Sequence, residues 1–341
     1  MPRRVAISGV GLIGASIGLG LGRAGWEVRG WDPNPGVLEQ ALALSAIHEA
    51  ADSYADLVGR ADDVIVLAGP PAAVIEQVKD LETDALVLDV AGVKDAVVAA
   101  ARPRRFIGTH PMAGREVTGP AGASPSLFRG ATWVVVADGA STADLMAAEE
   151  MLAEMGAEVI RMTAAEHDAA VAMISHLPQV LAAALVNEAA DRTRALDLAA
   201  GSFRDLTRVA ASDPDLWVDL LSNNRTEVIA AIDDLLVRLN RVSSALDDDD
   251  PVAIRDFLGR GQELRRRLAP PVVAVRVALA DEPGEMARVG RAFGASAVDV
   301  RDLQLRHAPH GGGGVLTVSV RPGEAETLRT ALTDEGLLLV D

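Results

Sequence analysis

The stretch VAISGVGLIG, residues 5–14, decides how the rest of the chain reads. A short apolar run of strand type meets the spacing G-x-G-x-x-G at Gly9, Gly11 and Gly14, and a helical pattern follows. Gly9 permits a tight turn, Gly11 lets the backbone approach a pyrophosphate, and Gly14 lets helix and strand pack closely. Leu12 and Ile13 open the helix, whose free N–H groups and positive dipole end face phosphate oxygens. The next strand pattern, EVRGWD (27–32), ends in Asp32. A carboxylate there accepts hydrogen bonds from a ribose diol and repels a 2′-phosphate, so NAD is expected rather than NADP. Arg29, on the same strand, keeps a 2′-phosphate open as the alternative.

DVIVLAG (63–69), ALVLDV (85–90), RFIGTH (105–110), TWVVVAD (132–138) and AEVIRM (157–162) continue the alternation of buried strands and helical patterns. This is the signature of βαβ units on a parallel sheet, an α/β Rossmann domain over residues 1–163. A helix starting near Ser141 and Thr142 is expected to bury Leu145, Leu152 and Met155 and to stop at Gly156. From Ala164 the character changes. Helical patterns run through 164–193, 214–246 and 251–268 with no strand signal between them, an all-α helical domain over residues 164–268. DDDD (247–250) before Pro251 reads as a solvated turn and helix N-cap, and no metal site is expected. RRRLAPPVV (265–273) is a linker by composition. Residues 272–341 then read as β-α-β-β-α-β, a small α+β domain.

Composition narrows the function. Zero cysteines exclude disulfides, thiolate zinc sites and cysteine nucleophiles together. A net charge of −17 argues against a nucleic-acid partner. The basic start MPRR before an apolar run is like a signal peptide, but the run continues at once into the glycine fingerprint. No uncharged apolar span of about 20 residues is read, so no membrane helix is expected, and the expected location is the cytoplasm.

An NAD enzyme that oxidises an alcohol or amine needs a base near the carbon losing hydride, and histidine suits this because it titrates near neutrality. In GTHPMAGRE (108–116), His110 ends a strand and is held on extended backbone by Pro111. Two further histidines, His167 and His176, lie in EHDAAVAMISHLPQVLAAAL (166–185), where Pro178 is expected to kink the helix. Ser175 and Gln179 are at i and i+4 and His176 is three before Gln179, so all three can face one region. In FRDLTRVAASDPDLW (203–217), Arg208 offers a planar fork suited to a carboxylate, with Asp205 placed at i, i+3 to orient it.

Taken in this order, GxGxxG, HPMAG, HDxxVAxxSHLPx and FRDxTRxAxSxPxxW resemble the prephenate/arogenate dehydrogenases of tyrosine biosynthesis over roughly residues 4–268. The tail, with DEPG (281–284) after its first strand, resembles an ACT domain, a module that often binds an amino-acid effector. The resemblance implies an oxidative decarboxylation of a cyclohexadiene: hydride leaves ring C4 for NAD, the C4 substituent gives up a proton, and the ring carboxylate departs as CO2. It makes His110 the base or hydrogen-bond partner at C4, and Arg208 the ligand of a substrate carboxylate. It places Glu116 and Asp205 in a gating ion network and Trp217 near the site, often supplied by the other subunit of a dimer formed through the helical domain.

Two departures fall where substrate is read. In LDVAGVKD (88–95) Gly92 stands where the family usually carries a serine that bridges the histidine and a C4 hydroxyl, and its loss leaves space. In SHLPQ, Gln179 replaces a second histidine that contacts the pyruvyl side chain. A C4 amine brings hydrogens of its own, so the expected substrate is 4-amino-4-deoxyprephenate, with prephenate or arogenate as the alternative. Two other classes fit the sequence less well. A catalytically weak NAD and amino-acid sensor is disfavoured by the retained His110 and Arg208. A β-hydroxyacid dehydrogenase is disfavoured because residues 164–250 contain no lysine.

Overall fold

The computed structural model describes residues 2–60, 62–114, 119–268, 272–307 and 313–340, in two compact units, Met1–Val237 and Arg238–Asp341. In the first, β1 (Arg4–Ser8), β2 (Glu27–Trp31), β3 (Glu49–Ala50), β4 (Val64–Leu67), β5 (Leu86–Asp89) and β6 (Phe106–Ile107) form a parallel sheet. Its order, β3-β2-β1-β4-β5-β6, is that of the doubly wound dinucleotide fold. The order reverses between β1 and β4, and such sheets hold their ligand in the crevice at that point.

Alternate strand residues feed two cores. Val5, Ile7, Val64, Val66, Leu86 and Leu88 pack with Ile17 and Leu21 of the helix Leu12–Arg23 and with Leu145 and Leu152 of Thr142–Glu154. Ala6, Ile65, Leu67 and Val87 join Val74 and Val78 of the helix Pro71–Lys79. Both faces are covered, which is why these strands read as unbroken apolar runs. The helix after residue 140 starts as expected, with Ser141 accepting from the Asp144 N–H, and Gly156 follows it at φ +77°.

The expectation of one parallel sheet is corrected at RFIGTH. Only Phe106 and Ile107 join it; β7 (Thr109–Pro111) runs antiparallel to β8 (Thr132–Val136), which pairs in parallel with β9 (Glu158–Met162). The chain changes sheets at Gly108, where a Cβ would lie 3.2 Å from Val98 Cγ2 and 3.4 Å from Lys94 Cδ. Glycine permits that close passage.

The helical segment begins with Ala164–Val171, passes through a π turn at Ala172–His176 and continues as Leu177–Ala190. The π turn ends two residues before Pro178, which cannot donate to the carbonyl four residues back, so the regular α-helical ladder is interrupted near the residue expected to disturb it. The expected helix over 214–246 is two helices, Pro214–Asn223 and Arg225–Asp247, divided at Asn224, whose buried side chain bonds elsewhere. By length and composition Ala164–Ala190 is apolar enough to cross a membrane, contrary to the reading above. Within it His167, Asp168 and His176 are buried, while Met173, Ile174 and Leu185 are exposed.

The second unit contains Pro251–Leu268, capped by Asp250, which accepts from the N–H groups of Val252 and Ala253 at 3.0 Å as the turn reading required. Beyond it, β10 (Val273–Leu279), β11 (Asp302–His307), β12 (Gly314–Val320) and β13 (Leu338–Val340) form an antiparallel sheet in the order β11-β12-β10-β13. The helices Glu285–Ser296 and Ala325–Asp334 complete the βαββαβ unit, packing Val289 and Leu328 on Val275, Val277, Leu316 and Val318.

Candidate active site

The glycine fingerprint divides its labour. A Cβ on Gly9, at φ +89°, would lie 2.8 Å from the Ala68 carbonyl, and one on Gly14 would lie 1.9 Å from the Gly9 oxygen. Both positions are closed to any larger residue. Gly11 faces open space, with nothing within 4 Å of its Cβ position. It also precedes the helix beginning at Leu12 without a side-chain cap, so the first N–H groups there remain for a ligand. Asp32 accepts from Val10 N at 3.1 Å and Asn34 N at 2.9 Å, which ties the carboxylate to the fingerprint. Arg29 is buried and committed elsewhere, 3.1 Å from Asp62 and 3.3 Å from the Leu57 and Asp56 carbonyls. What is present fits NAD and supplies no cation from Arg29 for a 2′-phosphate.

His110 heads a hydrogen-bonded chain. Its Nδ1 lies 2.8 Å from His167 Nε2, and His167 Nδ1 lies 2.7 Å from Asp168 Oδ1. The carboxylate only accepts, so His167 carries its proton on Nδ1 and accepts from His110 Nδ1–H through Nε2. That leaves the lone pair on His110 Nε2, the ring nitrogen 3.8 Å from the Cβ position of Gly92. Burial first, then the neighbouring His167, Lys94 and His176, hold the His110 imidazole well below its ordinary 6.5. A neutral acceptor results. Burial opposes the charge on Asp168, but hydrogen bonds from His167 and from the N–H groups of Asp95 and Lys94 outweigh it and hold its pKa below the ordinary value. Asp168→Asn removes the negative charge and one of the two oxygens that accept from His167 and from the N–H groups of Lys94 and Asp95, so it weakens the hold on the His167 tautomer. We expect a kcat loss of at least about tenfold, out of the ~10²–10⁴ that a positioned base supplies, with KM nearly unchanged in steady-state kinetics.

The residue before His110 is clamped on every side. Thr109 N donates to Asp89 Oδ1 at 3.1 Å, Thr109 Oγ1 donates to the Asp89 carbonyl at 2.6 Å, and Trp133 Nε1 donates to Thr109 Oγ1 at 2.9 Å. Lys94 Nζ donates to the Thr109 carbonyl at 2.6 Å and pairs with Asp89, both wholly buried. This buried pair joins the end of β5 to β7 and so sets where the imidazole starts.

His176 and Gln179 are buried, and Ser175 is half-buried. In a regular α-helix Asp168 and His176 would stand about 80° apart around the axis. The π turn between them winds less per residue and narrows that angle. Asn224 Nδ2 then reaches both, 2.8 Å from the Asp168 carbonyl and 3.2 Å from His176 Nδ1. Trp217 meets His176 edge to face, ring centroids 6.0 Å apart, within one chain. Gln179 Oε1 is buried without a hydrogen-bond partner, an acceptor for a ligand's donor. Asp205 and Arg208 are exposed one turn apart, where Gly201–Thr207 gives way to the 3-10 turn Arg208–Ala211. Glu116 lies outside the described residues.

Gly92 corrects the expectation of free space. A Cβ there would sit 3.8 Å from His110 Nε2, beside the base as expected, but 2.8 Å from Leu220 Cδ2. The room is taken by a methyl group. Sequence reasoning missed Asp89, Lys94, Asn224 and Leu220, and it noted His167 and Asp168 without a role. LDVAGVKD and the HD pair were visible motifs, but nothing local shows that they meet.

A dinucleotide cradle and an imidazole kept neutral as an acceptor, both beside the C-terminal ends of the central strands, define a Rossmann-type dehydrogenase with a helical second segment. The models of the prephenate dehydrogenase nucleotide-binding and dimerization domains match residues 17–161 and 163–259. The chain belongs to the prephenate dehydrogenase family. It is 28% identical to the prephenate dehydrogenase of Bacillus subtilis (strain 168), over 94% of this chain and 92% of that one. It is 30% identical to the probable prephenate dehydrogenase NovF of Streptomyces niveus, over 96% of each. The crystal structure of the A. aeolicus prephenate dehydrogenase in complex with hydroxyphenyl propionate and NAD+ is similar at a TM-score of 0.73 and 27% identity, covering 79% of this chain and 99% of that one.

Proposed function

We propose that the chain catalyses the NAD-dependent oxidative decarboxylation of 4-amino-4-deoxyprephenate to 4-aminophenylpyruvate. The single observation that carries the chemistry is the His110–His167–Asp168 chain, which presents a lone pair on His110 Nε2. Gly9, Gly11, Leu12, Ile13, Gly14 and Asp32 would hold NAD, which would supply the acceptor for a hydride from ring C4. His110 Nε2 takes a proton from the C4 substituent as the hydride departs. When the ring carboxylate leaves as CO2, its bonding electrons pass into the ring, which becomes aromatic, and the C4 substituent takes the proton back from His110. Arg208, oriented by Asp205, holds a substrate carboxylate as a fork. Ser175, His176 and Gln179 read the side chain, Trp217 walls the pocket, and Glu116 belongs to the gating network.

The choice of ring rests on hydrogen-bond sense. His110 accepts, and Gly92 adds no donor beside it. A hydroxyl at C4 carries two lone pairs that such a wall leaves unmet, whereas an amine is mainly a donor. The family resemblance to prephenate and arogenate dehydrogenases makes those two rings the second reading. The test is NADH formation with all three substrates side by side. The amino ring should show the highest kcat/KM; a higher value for prephenate or arogenate overturns the substrate, and no turnover of any of them, with NAD bound, favours a sensor.

In this reading residues 1–163 bind NAD, 164–268 supply substrate contacts and a homodimer interface, and 272–341 act as an ACT-like domain. Exposed Leu198, Ile229 and Leu236 give the helical segment apolar surface for a second copy. The effector would be an amino acid in the cleft of about 180 Å³ lined by Leu279, Asp281, Gly284, Met286 and Leu305. A cytoplasmic location suits a biosynthetic enzyme of this kind.

A further inference from the structure

We propose that Leu220 and Gly92 act as one specificity element, in which the leucine methyl fills the position of a side chain at 92 and sets which C4 substituent is accepted at His110. The inference rests on the reading that C4 of the ring lies against His110 Nε2. A Cβ at 92 would stand 2.8 Å from Leu220 Cδ2 and 3.8 Å from both Cε1 and Nε2 of His110, so residues 92 and 220 compete for one volume beside the base. Leu220 also packs on the apolar cluster beneath β5, which includes Ala91 and Val93 on either side of Gly92.

The helix bearing Leu220, Pro214–Asn223, is fastened in place. Asp219 Oδ2 accepts from Ala72 N at 2.9 Å, at the start of the helix Pro71–Lys79, and Asn223 Nδ2 holds Asp219 Oδ1 at 2.6 Å. The leucine therefore arrives from the helical segment at a fixed height over a loop of the nucleotide-binding segment. Close-packed groups cannot share such a volume, and the strain of forcing them together is relieved by moving the softer one. Here that is the leucine tip, which has to be displaced within a volume that lies 3.8 Å from the base.

Two consequences follow. A serine at 92 does not by itself create a hydroxyl-reading site, because the displaced methyl obstructs the ring. Its hydroxyl becomes useful only when position 220 is shortened. The residue pair, and not Gly92 alone, is what distinguishes an amine from a hydroxyl at C4.

The experiment compares wild type, Gly92→Ser, Leu220→Ala and Gly92→Ser/Leu220→Ala on 4-amino-4-deoxyprephenate and prephenate, reading kcat/KM for each and checking the fold by thermal melting. Gly92→Ser alone should lose activity on both rings. The double variant should regain turnover and move the amino-to-hydroxyl ratio by about tenfold toward prephenate, the worth of one hydrogen bond. Leu220→Thr, with Gly92 intact, brings a hydroxyl from the other side and should move the ratio the same way, which keeps the test open if the serine variants do not fold. Ratios that stay at the wild-type value, or single effects that simply multiply in the double variant, overturn the paired role. Turnover of neither ring by wild type instead overturns the reaction reading and the pair with it.

Discussion

His110→Asn should lower kcat by about 10²–10⁴, the contribution of a positioned general base, while NADH affinity measured by fluorescence titration stays at its wild-type value. The cradle and the base are built from different residues, Gly9 to Gly14 and Asp32 on one side and His110, His167 and Asp168 on the other. Asparagine retains a polar group of shorter reach, so the loss falls on the proton step. The pH profile tests the same assignment. Because the folded-state pKa of His110 lies well below 6.5, the acidic limb of wild-type kcat/KM should fall below pH 6.5. Stability carries the matching sign. Below pH 6.5 the unfolded chain binds a proton that the folded imidazole refuses, so this group makes unfolding easier as pH drops toward its folded pKa and contributes nothing above 6.5. Replacing His110 with asparagine should flatten that part of the curve in urea titrations. A profile unchanged by the substitution would sink the assignment.

Lys94→Met should destabilise the fold by about 3–5 kcal/mol, because it leaves Asp89 charged and buried without its partner. Burial pushes the Asp89 carboxyl up and the Lys94 ammonium down, and their contact opposes both shifts. The cost of breaking the pair is therefore the cost of stranding one charge. Lys94→Met/Asp89→Leu, which removes both charges, should recover much of the stability. It should not recover the activity, since Asp89 and Lys94 together hold both backbone groups of Thr109, the residue before His110. Urea denaturation and steady-state kinetics on the two variants separate the effects. Full activity in the double variant would show that the pair only stabilises and does not position the base.

The fold was legible where the physics is local. The glycine spacing, the runs buried on both faces and the capping residues Ser141 and Asp250 each act within a few residues, and the structure places them as read. The helix break at Asn224 and the sheet change at Gly108 were not legible, because each is made by packing against residues far along the chain. A glycine inside an apolar run is read as strand until the second sheet is known to lie against it.

By itself the sequence determined the dinucleotide fold, the acidic residue after β2, the helical segment and the βαββαβ tail, and it pointed to His110, which the structure sets within β7 between Thr109 and Pro111 and not at a strand end. Only the tertiary structure decided which way that histidine is protonated, since its tautomer is set by His167 and Asp168, 57 positions away at the first link. It also decided what stands where Gly92 has no side chain. Missing atoms leave no trace of what fills their place, and only the fold brings Leu220 to that point.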